Sequence, residues 1–279
     1  MPPAKPPIEV VSLFPLVEEH LIILLRSLKP DEWHLPTLAK QWTVKDVAAH
    51  LLDTSMRAKS MADGFLGDPP SDISSYKDLV SYLNRLNADW VQAMKRVSPA
   101  QIIAMLEWSG KAYCKLMAEA PLFEPAAFSV AWAGEELSMN WFHIAREYTE
   151  RWHHQMQIRE AVSQAEPLMT RQFFYPFMDT LMCGLPHALR NTMPAEDTGI
   201  RVTISGEAGG DWLVNYGNGG WQLSKSADKK LSASVTLDPN IAWKLFTKGL
   251  SPAEAATTAE MKGDKNLCEA VLQMVAVMA

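Results

Sequence analysis

The hydrophobic period of this chain first changes after about residue 195. Up to about residue 195 the apolar residues recur at helical spacing, and after Asp197-Thr198-Gly199 they alternate in twos. A helix buries a stripe of period near 3.6 and a strand buries a face of period 2, so this change separates a helical region from one that contains a sheet. Leu13, Leu16, Val17, Leu21, Leu24, Leu25 and Leu28 mark a first helix, stopped at Lys29-Pro30, where proline cannot continue the hydrogen bonding. Thr43 with Asp46 three residues later is capping-box-like and opens a second helix from Val44 to about Asp63, closed by Gly64 and Gly67-Asp68-Pro69-Pro70. A third spans Tyr76 to Arg96. Ser98-Pro99 starts a fourth, with proline at the first helical position, that ends before Pro121. Ala126 to Met139 reads as a short hairpin or a loop, and Met139 to Val162 as a further helix. Thr170 to Asn191 reads as a helix interrupted by Pro176 and Pro186.

Beyond the change, Arg201–Ser205, Asp211–Tyr216, Trp221–Ser224 and Ala233–Leu237 read as strands, with Gly217-Asn218-Gly219-Gly220 as a hairpin turn. Helices are expected at Pro239–Thr247, Pro252–Thr257 and Asn266–Met278, with a strand end and turn at Met261–Asp264. The expected fold class is therefore mainly α with α+β, a helical bundle followed by a small α+β domain. The linear division is 10–165, a helical connection at 166–195, and 196–279. A chain of 279 residues suits two cores better than one.

The residues exclude several function classes. The net charge is −6 and no basic run is interleaved with aromatics, so no nucleic-acid partner is expected. Cys114, Cys183 and Cys268 are far apart and form no CxxC pair, which argues against a disulfide framework or a cysteine-built zinc site. The opening MPPAKPPIEV lacks the apolar core of a signal peptide. No apolar stretch approaches the ~18–20 residues that span a bilayer. A cytoplasmic protein without a membrane partner is the expectation. Gly206, Gly209 and Gly210 make no GxGxxG, and Gly217 to Gly220 lie between strands rather than before a helix, so no phosphate loop is read.

One segment can carry chemistry. In the helix from Met139 to Val162, His143, Glu147, Glu150 and His154 fall at i, i+4, i+7 and i+11 and share a face. Glu150 and His154 could reach one ion from one helix, or form an exposed i,i+4 pair of small energy. Trp141, Phe142, Tyr148, Trp152 and Ile158 on the same helix imply that part of the polar stripe is buried, and a buried charge needs a counter-charge. His50 stands mid-helix on the apolar face Val47-Ala48-Ala49-His50-Leu51-Leu52. Alone it reads as a hydrogen-bonded core residue. With the Glu/His helix it completes a His-Glu-His set that leaves a position open, as in catalytic zinc sites.

Residues about 10 to 165 resemble the DinB-like, mycothiol-dependent maleylpyruvate isomerase family. The resemblance rests on Pro36-Thr37, on Trp42 through Leu51, and on Thr149-Glu150-Arg151-Trp152-His153-His154-Gln155 through Arg159. The C-terminal region resembles that family's small second domain, SCP2-like, through Val235-Thr236-Leu237-Asp238, Ala242-Trp243-Lys244-Leu245 and Met261-Lys262-Gly263-Asp264. The resemblance implies a DinB-like four-helix bundle that binds a divalent metal, zinc by preference, through His50, Glu150 and His154. It also implies a low-molecular-weight thiol, mycothiol or an analogue, and a small electrophilic substrate. The function implied is thiol transfer or cis-trans isomerisation. A non-enzymatic metal-stabilised binding module and a metal-dependent hydrolase of a thiol or amide conjugate are the alternatives. A homodimer is left open.

The doubled His153-His154 leaves the ligand register open, since Glu150 and His153 are i,i+3. His143 and Glu147 are read as supporting partners or an alternative ligand set. Arg146 and Arg151 are read as surface ion-pair residues or, less favourably, as carboxylate binders. No catalytic residue beyond the metal ligands and no substrate-binding residue is assigned. Trp33, Trp42, Trp90 and Trp108 are read as packing, Trp132 and Trp152 as packing or ligand stacking, Cys114 as a packed side chain, and Ser224 to Lys230 as a solvated loop.

Overall fold

A computed structural model describes residues 7–65, 67, 73–224 and 230–277. The expected helix stop at Asp68-Pro69-Pro70, most of the loop from Ser224 to Lys230, and Met278 lie outside the described residues. Spatial contacts gather the chain into two compact units. Val10–Ala120 with Arg151–Pro167 form one, and Pro121–Glu150 with Leu168–Val277 the other. These units are discontinuous in sequence and so differ in kind from the linear segments 10–165, 166–195 and 196–279.

The first unit is helical: α1 (Phe14–Ser27), α2 (Val44–Ala62), α3 (Tyr76–Met94), α4 (Pro99–Glu119) and the C-terminal part of α5 (Asn140–Ala161). The α2 start follows from its cap. Thr43 Oγ1 accepts the Asp46 backbone N–H at 3.4 Å, and Asp46 Oδ2 accepts the Thr43 N–H at 3.0 Å, an arrangement typically worth about 1 kcal/mol. Val44, Val47, Ala48, Leu51 and Leu52 then form the buried stripe of α2, packed with Leu21, Leu24 and Leu25 of α1, Ile102 and Leu106 of α4, and Ile158 of α5. Each fully buried aliphatic side chain of this kind contributes roughly 1.5–3 kcal/mol before entropic costs. The Trp90 indole N–H of α3 donates to Ala49 O at 2.8 Å. Polar ties hold α5 to α1: Gln155 Nε2 donates to Val17 O at 2.9 Å, and an Arg159 Nη to His20 O at 3.0 Å. Trp108 departs from the sequence reading. It is 60 % exposed, because the buried stripe of α4 runs through Ile102, Leu106, Ser109, Gly110 and Tyr113.

The second unit holds the N-terminal part of α5, then α6 (Arg171–Met182), α7 (Leu185–Ala188), five strands β1 (Thr198–Ile204), β2 (Gly210–Gly217), β3 (Gly220–Ser224), β4 (Lys230–Leu237) and β5 (Glu260–Gly263), and three helices α8 (Pro239–Phe246), α9 (Pro252–Ala256) and α10 (Lys265–Leu272). The sheet order is β3-β2-β1-β4-β5, with β1 and β4 parallel and the other pairs antiparallel. Asn218 and Gly219 both have positive φ (53° and 75°) between the paired Gly217 and Gly220. That is the two-residue hairpin geometry that Asn-Gly favours. Ile200, Val202 and Ile204 of β1, Val214 of β2, and Val235 and Leu237 of β4 are buried, the period-two pattern of a half-covered sheet. Within this unit α6 is joined to β2, where the Trp212 indole N–H donates to Asp179 Oδ1 at 2.7 Å and the Tyr175 ring stacks on Trp212 at 5.5 Å.

Three expected elements are refined. Ala126–Met139 is a loop and not a hairpin of strands, closed by a single Pro125–Met139 bridge and containing one 3-10 turn at Ala131–Ala133. The helix expected over Thr170–Asn191 is two helices, divided at Cys183-Gly184, with Pro176 accommodated inside α6 and Pro186 in the first turn of α7. The last helix stops at Leu272. The Ala276 N–H then donates to Phe246 O at 3.0 Å and holds the chain in an irregular path. No described helix is long and apolar enough to cross a membrane.

Candidate metal centre

The polar residues of α5 lie on a helix that is buried on nearly every side. Phe142, Tyr148, Trp152, Met156 and Ile158 are fully buried, as are Gln155 and Thr149. His153 and His154 are buried with them, at 5 % and 8 % exposure. The aromatic neighbours read from the sequence thus do what was expected of them, and the stripe is not a solvated face.

Ligand atoms of Glu150, His153 and His154 gather within 4.8 Å of one another. They are i, i+3 and i+4 on one helix, so the gathering follows from helical geometry. His50 reaches this cluster through His154, the two rings meeting edge-on with centroids 4.6 Å apart. Both histidines are buried, and α2 brings His50 there because its Val44–Leu52 stripe faces the core. The Trp42 ring lies 4.8 Å from that of His50 and 6.2 Å from that of His154. It is an aromatic wall to the pair, a role the sequence reading as generic packing had missed.

One further contact orients the ring of His154. Its Nδ1 lies 2.9 Å from Gln157 Oε1. An amide oxygen only accepts, so Nδ1 donates to it, and in the neutral form of the ring Nε2 would keep the lone pair that a cation requires. An outer hydrogen bond that fixes tautomer and ring angle commonly supports ligating histidines. Gln157 was also missed in the sequence, although its i+3 spacing from His154 was the available signal.

His143 and Glu147 belong to a different cluster. Arg146 Nη2 donates to Glu147 Oε1 at 2.5 Å and to His143 Nδ1 at 2.9 Å. Burial chiefly holds His143 below the ordinary imidazole range; Glu147 opposes this and Arg146 adds to it. Arg146 thus sets an internal cation against both residues, and Arg146 and Glu147 are only 12 % and 17 % exposed along their side chains. Arg151 also differs from the surface residue expected, being 2 % exposed.

The donor set of one carboxylate and buried imidazoles fits a divalent cation of zinc type. The three cysteines are free, with Cys114 half-buried and Cys183 and Cys268 buried. Burial, reinforced by the nearby Glu18 carboxylate, pushes the Cys114 thiol up to about 11. Burial also raises Cys268.

Comparison with known proteins places the chain in a class. Residues 15–159 match the model of the mycothiol maleylpyruvate isomerase N-terminal domain, and the chain belongs to that family. Two crystal structures share the fold over nearly the whole length. One, of mycothiol-dependent maleylpyruvate isomerase, has a TM-score of 0.51 and 12 % identity, covering 86 % of this chain and 88 % of that one. The other, of a histidine-to-alanine mutant of mycothiol-dependent maleylpyruvate isomerase, has a TM-score of 0.50 and 11 % identity, covering 93 % and 95 %. At these identities the likeness is one of fold: a helical N-terminal domain with a small α+β part after it. No curated protein matches the sequence.

Proposed function

We propose that this protein is a metal-dependent enzyme that activates a low-molecular-weight thiol for transfer to, or isomerisation of, a small electrophilic substrate, in the manner of a maleylpyruvate isomerase. The observation that carries the reading is the gathering of the half-buried Glu150 with the buried His153 and His154 beside His50, within a domain of that family. His50, Glu150 and His154 are the proposed ligands, with zinc the preferred ion. Two contacts favour His154 over His153, namely the Gln157 bond to its Nδ1 and the approach of the His50 ring.

A bound divalent cation would lower the pKa of a thiol brought to it, so that thiolate exists at neutral pH. Glu150 would supply negative charge to offset the cation. Gln157 would hold His154 in the tautomer that presents Nε2, and Trp42 would limit the approach of water to the two imidazoles. Addition of thiolate to an activated alkene, rotation about the resulting single bond and expulsion of the same thiolate isomerises the substrate without consuming thiol. The protein's own Cys114 is a poor candidate for that thiol, because its thiolate is scarce at neutral pH. Mycothiol or an analogue supplied from outside is therefore proposed.

Elemental analysis of purified protein tests the metal. Near-stoichiometric divalent metal is expected in the wild type and in His153→Ala, with loss in His50→Ala, Glu150→Ala and His154→Ala. Full occupancy in the His50→Ala and His154→Ala variants would end the reading. Isomerisation of a cis-alkene acid should require both metal and added thiol, and turnover without added thiol would exclude the thiol step. Cys114 should react with a disulfide reagent at pH 7 at least about 100-fold more slowly than an unperturbed thiol, as its thiolate fraction implies.

A further inference from the structure

The proposed site has a feature outside its ligands. Arg151 immediately follows Glu150, and its side chain is buried in the core of the helical unit. There it meets each of the other three helices that pack around it. On α2, one Nη donates to Leu51 O at 3.0 Å and the other to Ser55 Oγ. On α4, the guanidinium carbon lies 4.0 Å from the centre of the Tyr113 ring. On α1, Glu18 Oε1 is 3.4 Å from Nη1. The Glu18 carboxylate is itself buried and lies over Gly110, where a Cβ would come within 2.8 Å of its oxygen.

The position of the α2 contact is informative. Leu51 is the residue after His50, as Arg151 is the residue after Glu150. The bond therefore ties the peptide beside one proposed ligand to the side chain beside another. The planar guanidinium fixes distance and angle together through two donors, which a single ammonium cannot do. A buried ion pair adds little stability compared with an apolar replacement, and the best-attested use of such a pair is to fix register.

We propose that Arg151 is a positioning residue for the metal centre: it sets the rotation and height of α5 against α2, so that His50 and His154 face one another at coordinating distance. This rests on the reading of His50, Glu150 and His154 as ligands. Removing the clamp should weaken metal binding by the 10–100-fold typical when a supporting partner of a ligand is lost.

The test is cobalt(II) titration of the full chain, read by the visible d–d spectrum, with circular dichroism at the same temperature as a measure of folding. The variant of choice is the double substitution Glu18→Gln with Arg151→Met, which removes both buried charges and leaves neither unpaired. Arg151→Lys, which keeps the charge facing Glu18 but loses the two-pronged bond, repeats the test in a second background. Each is expected to bind cobalt 10–100-fold more weakly than wild type, with an altered d–d spectrum. Affinity and spectrum equal to wild type in a folded variant would overturn the clamp and leave the metal reading standing. Absence of cobalt binding by the wild type would instead refute the ligand assignment itself.

Discussion

The two ends of α5 carry the same kinds of residue and treat them differently. Near its start, His143 and Glu147 surround Arg146, a cation the chain provides. Near its middle, Glu150, His153 and His154 gather on one face while the adjacent arginine, Arg151, turns to other helices. Burial does not separate the clusters, since both are largely removed from water. The difference lies in where the neighbouring guanidinium goes. The first cluster holds a cation that the chain itself supplies, and under the proposed function the second would hold one taken from solution.

This contrast can be broken by experiment. The largest expected effect is on metal content: His154→Ala should lose the metal, whereas His143→Ala and Glu147→Ala should retain it near stoichiometry in the same elemental analysis. Equal loss in both groups would merge the clusters. Next comes stability. Arg146→Met removes two bonds to a carboxylate and an imidazole and should cost roughly 1.5–3 kcal/mol in denaturant unfolding, with metal content unchanged. A stability loss below the error of the measurement would show the first cluster to be dispensable.

The smallest effect is a pH dependence. His143 is held below its ordinary value of 6.5, first by burial and then by Arg146, against the opposing Glu147. The folded state therefore keeps this imidazole neutral while the unfolded chain takes up a proton near 6.5. Its contribution is fully present above that pH and is lost as pH falls through the window toward the folded value. The melting temperature of His143→Gln should decline less than that of the wild type between pH 7 and 5.5. A parallel decline would remove His143 from the account.

A comparison of α2 and α5 shows how much was legible in the sequence. The start of α2, its cap and its buried stripe follow from Thr43, Asp46 and the Val44–Leu52 spacing, because these are interactions within one or two turns. The shared face of Glu150 and His154 is equally local. The spacing of α5 also put His143 and Glu147 on that face and gave no ground for dividing the four. Arg146 divides them, and its choice of partners depends on rotamers and burial that spacing does not encode. Arg151 looked like a surface residue because charge usually implies exposure, and only the packing of α1, α2 and α4 around it reverses that. Trp108 shows the converse, a large aromatic ring left exposed because the stripe of α4 turns elsewhere.

By itself the sequence determined the element types, most of their limits, the Asn218-Gly219 hairpin and the family, since each of these rests on short-range periodicity, turn chemistry or motif. Tertiary structure alone decided that the ring of His50 meets that of His154, that Gln157 orients the latter, and that Arg151 joins four helices. The physical reason is sequence separation. Residues 50 and 154 are brought together by the burial of an apolar stripe on each helix, and the free energy of that burial is nearly indifferent to which polar side chains it carries inward.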